Sequence, residues 1–289
     1  MPYGIPAPGY RLPSDTRLGG LHLLVSDLER SLEYYQRVIG LTLRTRERSS
    51  VALGGRDGSG TLLRLSTKPG TRPAPRGARF GLYHFALLLP DRASLGRFVR
   101  HLGELGVHVA SADHAVSEAL YLWDPDGLGI EVYADRPRES WKIRGREIFM
   151  TTERLNLQSL LTAAGDERWS GIPPGSSLGH MHLQVSDLES AAAFYHAALG
   201  FDQIVWNFPG ALFLSAGGYH HHLGTNTWAS GAGPALDDEA RLIEWEIVLP
   251  TSDDRAQAAQ SLRTAGYAAE RRDETWVVSD PWNTTVRLT

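Results

Sequence analysis

The sequence predicts an α+β fold built from four β-α-β-β-β units. The first observation is a repeat: residues 18–40 and 178–200 each contain an apolar strand, the sequence Val-Ser-Asp-Leu, an amphipathic helix and a final glycine, with the second copy 160 residues after the first. The second observation is a weaker repeat at the same offset, in which residues 82–90 and 242–250 are each followed by a helical pattern. A duplication of this extent indicates four related units.

The ends of each helix and hairpin carry their own signals. The aspartate of each Val-Ser-Asp-Leu sequence can accept hydrogen bonds from free N–H groups of the first helical turn. Gly40 and Gly200 end the helices of the stronger repeat. Three short strands follow in each unit, and in the second and fourth units the last two surround turns that begin at Asp124-Pro125 and Asp280-Pro281. These signals complete the β-α-β-β-β pattern.

The repeats also predict the domain organisation. We expect an N-terminal extension (1–17), an N-terminal half with two units (18–135), a connector (136–177) and a C-terminal half with two units (178–289). The extension is rich in proline and lacks a continuous apolar run, so we do not expect a signal peptide. The connector is predicted to contain a short helix over 155–164.

Composition excludes several classes of function. With 42% apolar and 21% charged residues, the 289-residue chain has the composition of a soluble globular protein, and we expect it in the cytoplasm. A net charge of −4 provides no basic face for nucleic acid, and no apolar run is long enough to span a membrane. Because the chain has no cysteine, any metal must be bound by histidine, aspartate and glutamate.

The segment from His114 to Tyr133 concentrates polar side chains in one hairpin. Strands are predicted over 119–123 and 129–133, joined by an Asp-Pro-Asp-Gly turn, and Glu131 lies among apolar neighbours. Burying a carboxylate without a partner costs several kcal/mol, so Glu131 requires a cation or hydrogen-bond donors. The alternative interpretation is a surface hairpin with a half-buried glutamate.

The β-α-β-β-β repeat, with this opening strand and turn, resembles the vicinal oxygen chelate superfamily, which includes glyoxalase I, bleomycin-resistance proteins and extradiol dioxygenases. The resemblance extends from about Leu18 to Leu288. His114-x-Val-Ser-x-Ala, followed by Tyr121 and by Asp-Pro-Asp-Gly-x-x-Ile-Glu131, is similar to the C-terminal signature of the extradiol dioxygenases, although here it lies in the second unit. The layout is similar to bacterial catechol 2,3-dioxygenases of the short, four-unit type.

The resemblance implies that the units pair into two cup-shaped mixed sheets, with metal ligands on the first and last strands of a unit. The corresponding first-strand positions of the four units are Gly20, His84, His180 and Glu244. The last-strand positions are an apolar site around Leu62, Glu131, a site near His222, and Arg287.

Three pairing schemes are open, and charge ranks them. Pairing units two and three brings His84, Glu131 and His180 together near His222, a ligand set suited to a divalent transition metal, and leaves an ion pair in units one and four. Pairing the units within each half leaves His84 and Glu131 one ligand short and places Arg287, which cannot lose its proton, at the other site. Pairing one with three supplies histidines without a carboxylate. We favour the first scheme.

The resemblance also implies roles for individual residues. His84, Glu131 and His180 would bind Fe(II), with Mn(II) as the alternative ion. Tyr121 would orient or donate to a substrate oxygen, with His114 behind it, and His182 is a weaker candidate. In the run 219–222, a strand would place His220 and His222 on one face and His221 on the other. We expect His222 to be the proton carrier, while His220 stays open as the histidine that faces the metal.

The function implied is an Fe(II)-dependent extradiol ring-cleaving dioxygenase that opens an aromatic diol with O2. Two alternatives remain: a metal-dependent lyase or isomerase of the glyoxalase kind, and a non-catalytic protein that binds aromatic compounds. The glyoxalase kind often uses two glutamates, whereas the favoured ligand set contains one. The expected partners are small molecules, without nucleic acid or membrane, and a homo-oligomer remains open.

Overall fold

A computed structural model describes residues 3–58, 60–229 and 231–289, and it confirms the α+β class. Two eight-stranded mixed sheets, both curled into cups, contain most of the strands. Each cup combines one unit from each half of the chain. Neither sheet belongs to one half of the chain. The predicted division into an N-terminal half (18–135) and a C-terminal half (178–289) therefore remains a prediction.

The first two units have the predicted order of elements. Unit one contains β1 (Arg17–Leu24), α1 (Leu28–Tyr34) with a π-helical continuation (Tyr35–Ile39), β2 (Thr42–Arg46), β3 (Ser50–Gly54) and β4 (Leu63–Ser66). Unit two contains β5 (Gly81–Leu88), α2 (Arg92–Glu104), β6 (Ala110–Asp113), β7 (Ser117–Trp123) and β8 (Gly129–Asp135).

The connector and the last two units follow. The connector contains a 3-10 turn (Arg138–Ser140), β9 (Ile143–Arg144), β10 (Glu147–Ile148) and α3 (Leu157–Ala163), the last within the predicted helix. Unit three contains β11 (Ser177–Gln184), α4 (Leu188–Ala191) with a π-helical continuation (Ala192–Ala198), β12 (Asp202–Val205), β13 (Ala211–Ser215) and β14 (Leu223–Asn226). Unit four contains β15 (Arg241–Val248), α5 (Ser252–Thr264), β16 (Glu270–Arg272), β17 (Thr275–Ser279) and β18 (Thr285–Leu288).

The helix signals act as predicted. The side chain of Asp27 accepts a hydrogen bond from the Arg30 backbone N–H, and the side chain of Asp187 accepts one from Ser190. Gly40 ends its helix with a φ of 87°, in the left-handed region that favours glycine. The duplicated segments therefore begin and end their helices in the same way.

The sheets confirm the pairing of units two with three and of one with four. The first sheet has the order β12-β13-β14-β11-β5-β8-β7-β6, and the second has the order β16-β17-β18-β15-β1-β4-β3-β2. Antiparallel strands β5 and β11 form the centre of the first sheet, and β1 and β15 form the centre of the second. Each sheet thus joins its two units through their opening strands.

Strand alternation separates the core from the cup. On β5, Phe85 and Leu87 point into the hydrophobic core, whereas His84 and Ala86 point to the concave face. On β8, Ile130 and Val132 belong to the core. The concave face of the first sheet is therefore available to polar side chains.

The Asp-Pro turns connect the hairpins to the helices of other units. The carboxylate of Asp124 is buried and accepts hydrogen bonds from the backbone N–H groups of Asp126 and Leu128 and from the hydroxyl of Tyr35. The second copy repeats the contact, since the Tyr195 hydroxyl donates to Asp280 at 2.7 Å. Each turn therefore holds a helix of its own half against a strand hairpin.

The N-terminal extension packs against unit three. The guanidinium of Arg11 makes a two-pronged hydrogen-bonded ion pair with buried Asp202, and Ile5 forms a β-bridge with Gln203. Across the described residues, the helices are too short and too polar for any one of them to cross a lipid bilayer.

Candidate metal centre

Three buried side chains converge at the bottom of the first cup. Nε2 of His84 lies 3.0 Å from Oε2 of Glu131, and Nε2 of His180 lies 3.2 Å from the same oxygen. One potential ligand atom from each residue lies within 4.8 Å of the other two. The structure thus brings together His84, Glu131 and His180, the three residues expected to bind the metal.

Strand register explains this convergence. In the parallel pair β5–β8, Ala86 is opposite Glu131, and in the antiparallel pair β5–β11, Ala86 is opposite His180. His84 lies two residues before Ala86, so all of these side chains share the concave face. Because Ala86 is small, it leaves the space between the two larger ligands open.

A bulge in β11 sets the position of His180. The register shifts between Leu178 and His180, and the extra residue is Gly179. A Cβ on Gly179 would lie 1.9 Å from the hydroxyl oxygen of Tyr133, whose ring packs against that of His180 with centroids 4.9 Å apart. Glycine is therefore required for the close packing behind this histidine.

The electrostatics favour the protonation states that bind a metal. Although burial opposes ionisation of Glu131, the facing imidazoles of His180 and His84 outweigh it and hold the pKa of this carboxyl well below its usual value. Burial lowers the pKa of His180 to about 4, despite the opposing charge of Glu131. At neutral pH Glu131 is therefore a carboxylate and His180 a neutral imidazole, the forms that coordinate metals.

The donor geometry also fits a divalent ion. Nε2 of His84 is buried, makes no hydrogen bond in this structure and faces Oε2 of Glu131. Two ligands about 2.1 Å from one ion at a right angle are about 3 Å apart, which matches both histidine–glutamate distances. Two imidazoles and one carboxylate on one face form the arrangement associated with non-haem Fe(II).

Tyr121 and His114 lie together beside the cluster, as expected. Tyr121 is opposite Glu131 in the antiparallel pair β7–β8, and its hydroxyl lies 2.6 Å from Nε2 of His114. Nδ1 of His114 lies 2.6 Å from the carbonyl oxygen of Thr151, which can only accept. A neutral His114 is therefore protonated on Nδ1 and accepts the Tyr121 proton. Burial, together with the charge of Glu131, raises the pKa of Tyr121 well above its usual value, so it remains a phenol.

His222 does not face the cluster, which corrects the expectation for this residue. Its ring packs against Phe201 and Tyr219, and its Nδ1 accepts a hydrogen bond from the backbone N–H of Ala216. Burial lowers its pKa to about 3. The physical reason is that residues 216–222 form a loop and β14 begins only at Leu223, so strand alternation does not apply to the histidine run.

His221, which the sequence analysis placed on the opposite face, lines the cavity instead. Its ring lies 4.1 Å from that of His180, centroid to centroid. Behind it, Nδ1 of His220 lies 2.7 Å from Nδ1 of His221, and Nε2 of His220 lies 2.9 Å from a carboxylate oxygen of Asp135. Because this segment is a loop and not a strand, His221 lines the cavity, whereas His220 and His222 do not.

The hydrogen bonds among His221, His220 and Asp135 fix the tautomers of the two histidines. A carboxylate only accepts, so Nε2 of a neutral His220 donates to Asp135 and its Nδ1 accepts from Nδ1 of His221. Nε2 of His221 then carries a lone pair. Burial, reinforced by the nearby imidazoles of His180 and His220, lowers the pKa of His221 well below its usual value. His221 is consequently a neutral hydrogen-bond acceptor in this structure.

His182 is also on the concave face, directly opposite His84 across the β5–β11 pair. Its Nε2 is buried without a hydrogen-bond partner, and its ring packs 4.9 Å from that of His84. Gly224 makes room for it, since a Cβ at this position would lie 3.0 Å from the ring of His182. This weaker candidate therefore lines the site.

The cluster opens into a cavity of about 340 Å³. Its aromatic wall contains Phe208, Phe213 and Trp228, while its opposite wall includes Met150, Thr151 and Thr152 from the connector. The side chains of Tyr83, Trp123 and Trp228 are partly exposed at the mouth. Aromatic residues occur more often in protein cores, as Trp245 does here, so the sequence alone indicates no role for Trp123 or Trp228.

Comparisons with known proteins agree with this geometry. The chain is 46% identical over 272 residues to the catechol-2,3-dioxygenase of Bacillus subtilis strain 168, covering 92% of this chain and 94% of that protein. Two solved structures share the fold at low identity. A Bacillus subtilis protein described as a dioxygenase candidate has a TM-score of 0.65, 14% identity and coverage of 96% and 86% of the two chains. Glyoxalase I from Zea mays has a TM-score of 0.56, 16% identity and coverage of 95% and 92%.

A family model provides the assignment. It is described as the Glyoxalase/Bleomycin resistance protein/Dioxygenase superfamily and matches residues 17–132 and 177–277. These two segments contain the opening strand of each half and all three residues of the cluster. The chain therefore belongs to the Glyoxalase/Bleomycin resistance protein/Dioxygenase superfamily.

Proposed function

We propose that this protein is an Fe(II)-dependent extradiol dioxygenase that opens a catechol-type ring with O2. The observation that carries the proposal is the convergence of two imidazoles and one carboxylate, His84, His180 and Glu131, beneath a cavity with aromatic walls. The 46% identity with a catechol-2,3-dioxygenase supports the reaction class.

The three residues would hold the ion through His84 Nε2, His180 Nε2 and a Glu131 oxygen. A bound Fe(II) would supply Lewis acidity, which lowers the pKa of the diol hydroxyls, and the redox chemistry needed with O2. Burial of Glu131 and His180 excludes water from the side of the cluster opposite the cavity. Because the ligand cluster lies at the bottom of the cup, a bound substrate would have its diol there and the rest of its ring towards the mouth.

Tyr121 positions one substrate oxygen. Its own proton is directed to Nε2 of His114, so in this state its oxygen accepts a hydrogen bond from a catechol hydroxyl. The Tyr121–His114 pair would therefore hold one oxygen of the diol in place.

His221 takes the role of proton carrier that the sequence analysis gave to His222. His221 lines the cavity, and its Nε2, the nitrogen that is not bonded to His220, would accept a proton from the substrate hydroxyl. Asp135, acting through His220, orients the ring and stabilises the positive charge that forms. The Tyr219 hydroxyl, which donates to the same Asp135 oxygen at 3.1 Å, holds the carboxylate in place.

The test begins with metal-free full-length protein reconstituted with Fe(II) without oxygen. Catechol and then air should give a yellow ring-opened product, with one O2 consumed for each ring cleaved. His180→Ala should lose the metal and the activity, whereas Glu244→Gln, at a ligand-equivalent position of the other cup, should retain both. Metal-dependent consumption of a hemithioacetal without O2 uptake would instead indicate the glyoxalase-like alternative. Tight catechol binding without any turnover would indicate a binding protein.

His221→Gln separates the proton carrier from the metal ligands. We expect metal content to stay near that of the unchanged protein and kcat to fall about 100-fold or more. His222→Gln is the matched control, since its ring lies outside the cavity, and it should retain kcat. A larger loss of kcat in the control than in His221→Gln would contradict this assignment.

A further inference from the structure

We propose that the ring substituent of the substrate is uncharged and apolar, so that carboxylated catechols are rejected. This inference rests on the proposed function and specifies its substrate class. Among the described residues, the cavity lining contains no lysine and no arginine. Its only carboxylate is Glu131, which faces the two histidines.

The wall that would contact the substituent is aromatic and continuous. Phe213 packs against the His221 ring at 4.9 Å and against Phe208 at 5.6 Å, and Trp228 packs against the His182 ring at 5.4 Å. These rings continue from the histidines to the mouth. A group attached to the bound ring therefore meets aromatic carbon, without a cationic partner for a carboxylate.

Both nitrogens of His114, a polar residue of the lining, already have hydrogen-bond partners. Nε2 of His114 faces Tyr121 and its Nδ1 faces the Thr151 carbonyl oxygen, so neither nitrogen is free for a substituent. A carboxylate on the part of the ring away from the ligand cluster would leave water without a lysine or arginine beside it among the described lining residues, which is costly. The cavity therefore selects against a negatively charged substituent, because its described lining lacks lysine and arginine.

One arginine lies beside the mouth without lining the cavity. The Arg76 guanidinium stacks 5.0 Å from the ring centre of Trp123, a residue that is 46% exposed at the mouth, and Arg76 itself does not line the cavity. The cavity volume also favours a small substrate. It is about 340 Å³, at the lower end of the range for ligand pockets, which is about 300 to 1,000 Å³. It suits a single ring with a short substituent.

Two compounds that differ mainly in charge test the proposal: 3,4-dihydroxybenzoate and its methyl ester. Binding is measured by tryptophan fluorescence with full-length protein loaded with Zn(II), which does not support ring cleavage. We expect the ester to bind at least about 100-fold more tightly than the acid. Equal affinities, or tighter binding of the acid, would overturn the proposal.

Variants locate the selectivity. Phe208→Lys should narrow the ester–acid gap at least about tenfold by supplying a counter-ion, whereas Phe208→Leu should leave it unchanged. Trp228→Lys, at the more exposed mouth, provides the same test if Phe208→Lys does not fold. Arg76→Met should not change the gap. If Arg76→Met weakened the acid alone, recognition of anions at the mouth would replace this proposal.

Turnover distinguishes this inference from the function beneath it. With Fe(II) and O2, the ester should be cleaved with a kcat/KM at least about 100-fold above that of the acid. If the ester still bound more tightly than the acid, but neither compound nor catechol was cleaved, the proposed dioxygenase activity would be wrong and the proposed selectivity would stand. Cleavage of both compounds with equal kcat/KM would remove the selectivity and leave the dioxygenase.

Discussion

The two cups share a backbone plan and differ in what occupies it. The ligand positions of the first cup and their equivalents in the second are His84 and Glu244, Glu131 and Arg287, and His180 and Gly20. In the second cup the guanidinium of Arg287 lies 2.7 Å from a carboxylate oxygen of Glu244, as predicted for units one and four. The sheet therefore does not create a metal site, and the side chains at these positions decide it.

Burial and a permanent charge explain the difference. The side chains of Glu131 and His180 are 3% and 2% exposed, whereas those of Glu244 and Arg287 are 22% and 25% exposed. Arg287 neutralises its carboxylate permanently, whereas Glu131 faces two imidazoles, which can bind a metal as neutral ligands. The position of Ala86 carries Glu246 in the second cup, whose carboxylate accepts the backbone N–H of Gly20 at 3.0 Å. The second cup pairs its charges within the protein, and the first brings together a ligand set that could bind a metal.

Glu131→Arg should produce the largest effect, because it copies the second cup into the first. A guanidinium at this position opposes a bound cation and cannot lose its proton. Metal content after reconstitution, measured by atomic absorption, should fall from about one ion per chain to almost none. The matched change Arg287→Gln should leave metal content unaltered. Full metal content in Glu131→Arg would show that the cluster is not the site.

Gly179→Ala should destabilise the protein more than Gly19→Ala, its equivalent in the second cup. The new Cβ at Gly179 would lie 1.9 Å from the oxygen of fully buried Tyr133, whereas at Gly19 the closest atom, at 2.6 Å, is the carboxylate end of partly exposed Glu246. We expect a loss of about 3 kcal/mol or more at Gly179, and less at Gly19. Urea denaturation measures both, and equal losses would contradict the comparison.

Asp124 and Asp280 should give stability a shared dependence on pH. Burial raises the pKa of each carboxyl to about 6, above the unfolded value of about 3.9. The folded state then binds more protons between these values, so stability falls as pH rises from about 4 to about 6 and levels off above that range. The expected fall is about 2 to 3 kcal/mol for each residue.

Unfolding at a series of pH values measures this dependence. The double variant Asp124→Asn with Asp280→Asn should flatten the decline between about pH 4 and 6. Asp253→Asn, at an exposed position in the first turn of α5, provides the control. An unchanged slope in the double variant would assign the decline to other groups.

Glu244→Gln should have the smallest effect. The pair with Arg287 is partly exposed, and ion pairs near the surface contribute about 0 to 1 kcal/mol. We expect a change in the free energy of unfolding below about 1 kcal/mol, with unchanged metal content. A loss of several kcal/mol would mean that the second cup depends on its ion pair as strongly as the first depends on its ligands.

Sequence predicted the features that depend on repetition and charge. The common offset revealed four units, and the incompatibility of Arg287 with a metal site was enough to select the pairing of units two and three. The hairpin signature brought Tyr121 and His114 to Glu131 because a turn of fixed type sets the register of two strands. These predictions rested on rules that hold for any strand.

The predicted strand alternation of the histidine run 219–222 was wrong for a local reason. Gly217 and Gly218 adopt left-handed φ values of 62° and 70°, so the chain turns before β14 begins and the alternation of a strand does not reach residues 220–222. Adjacent glycines before the run were the available signal. The walls contributed by the connector were also beyond prediction, since Thr151 and Met150 reach the cavity through tertiary contacts that no repeat encodes.

Because each cup joins opposite halves, a chain with only two units could close a cup only by associating with a second copy. Such an assembly would be symmetric, and any change in one cup would appear in both. A single chain with four units is free of that constraint, because a residue can change in one cup while the other cup stays as it is. The two cups of this chain differ at their equivalent positions in this way, with His84, Glu131 and His180 in one and an ion pair in the other.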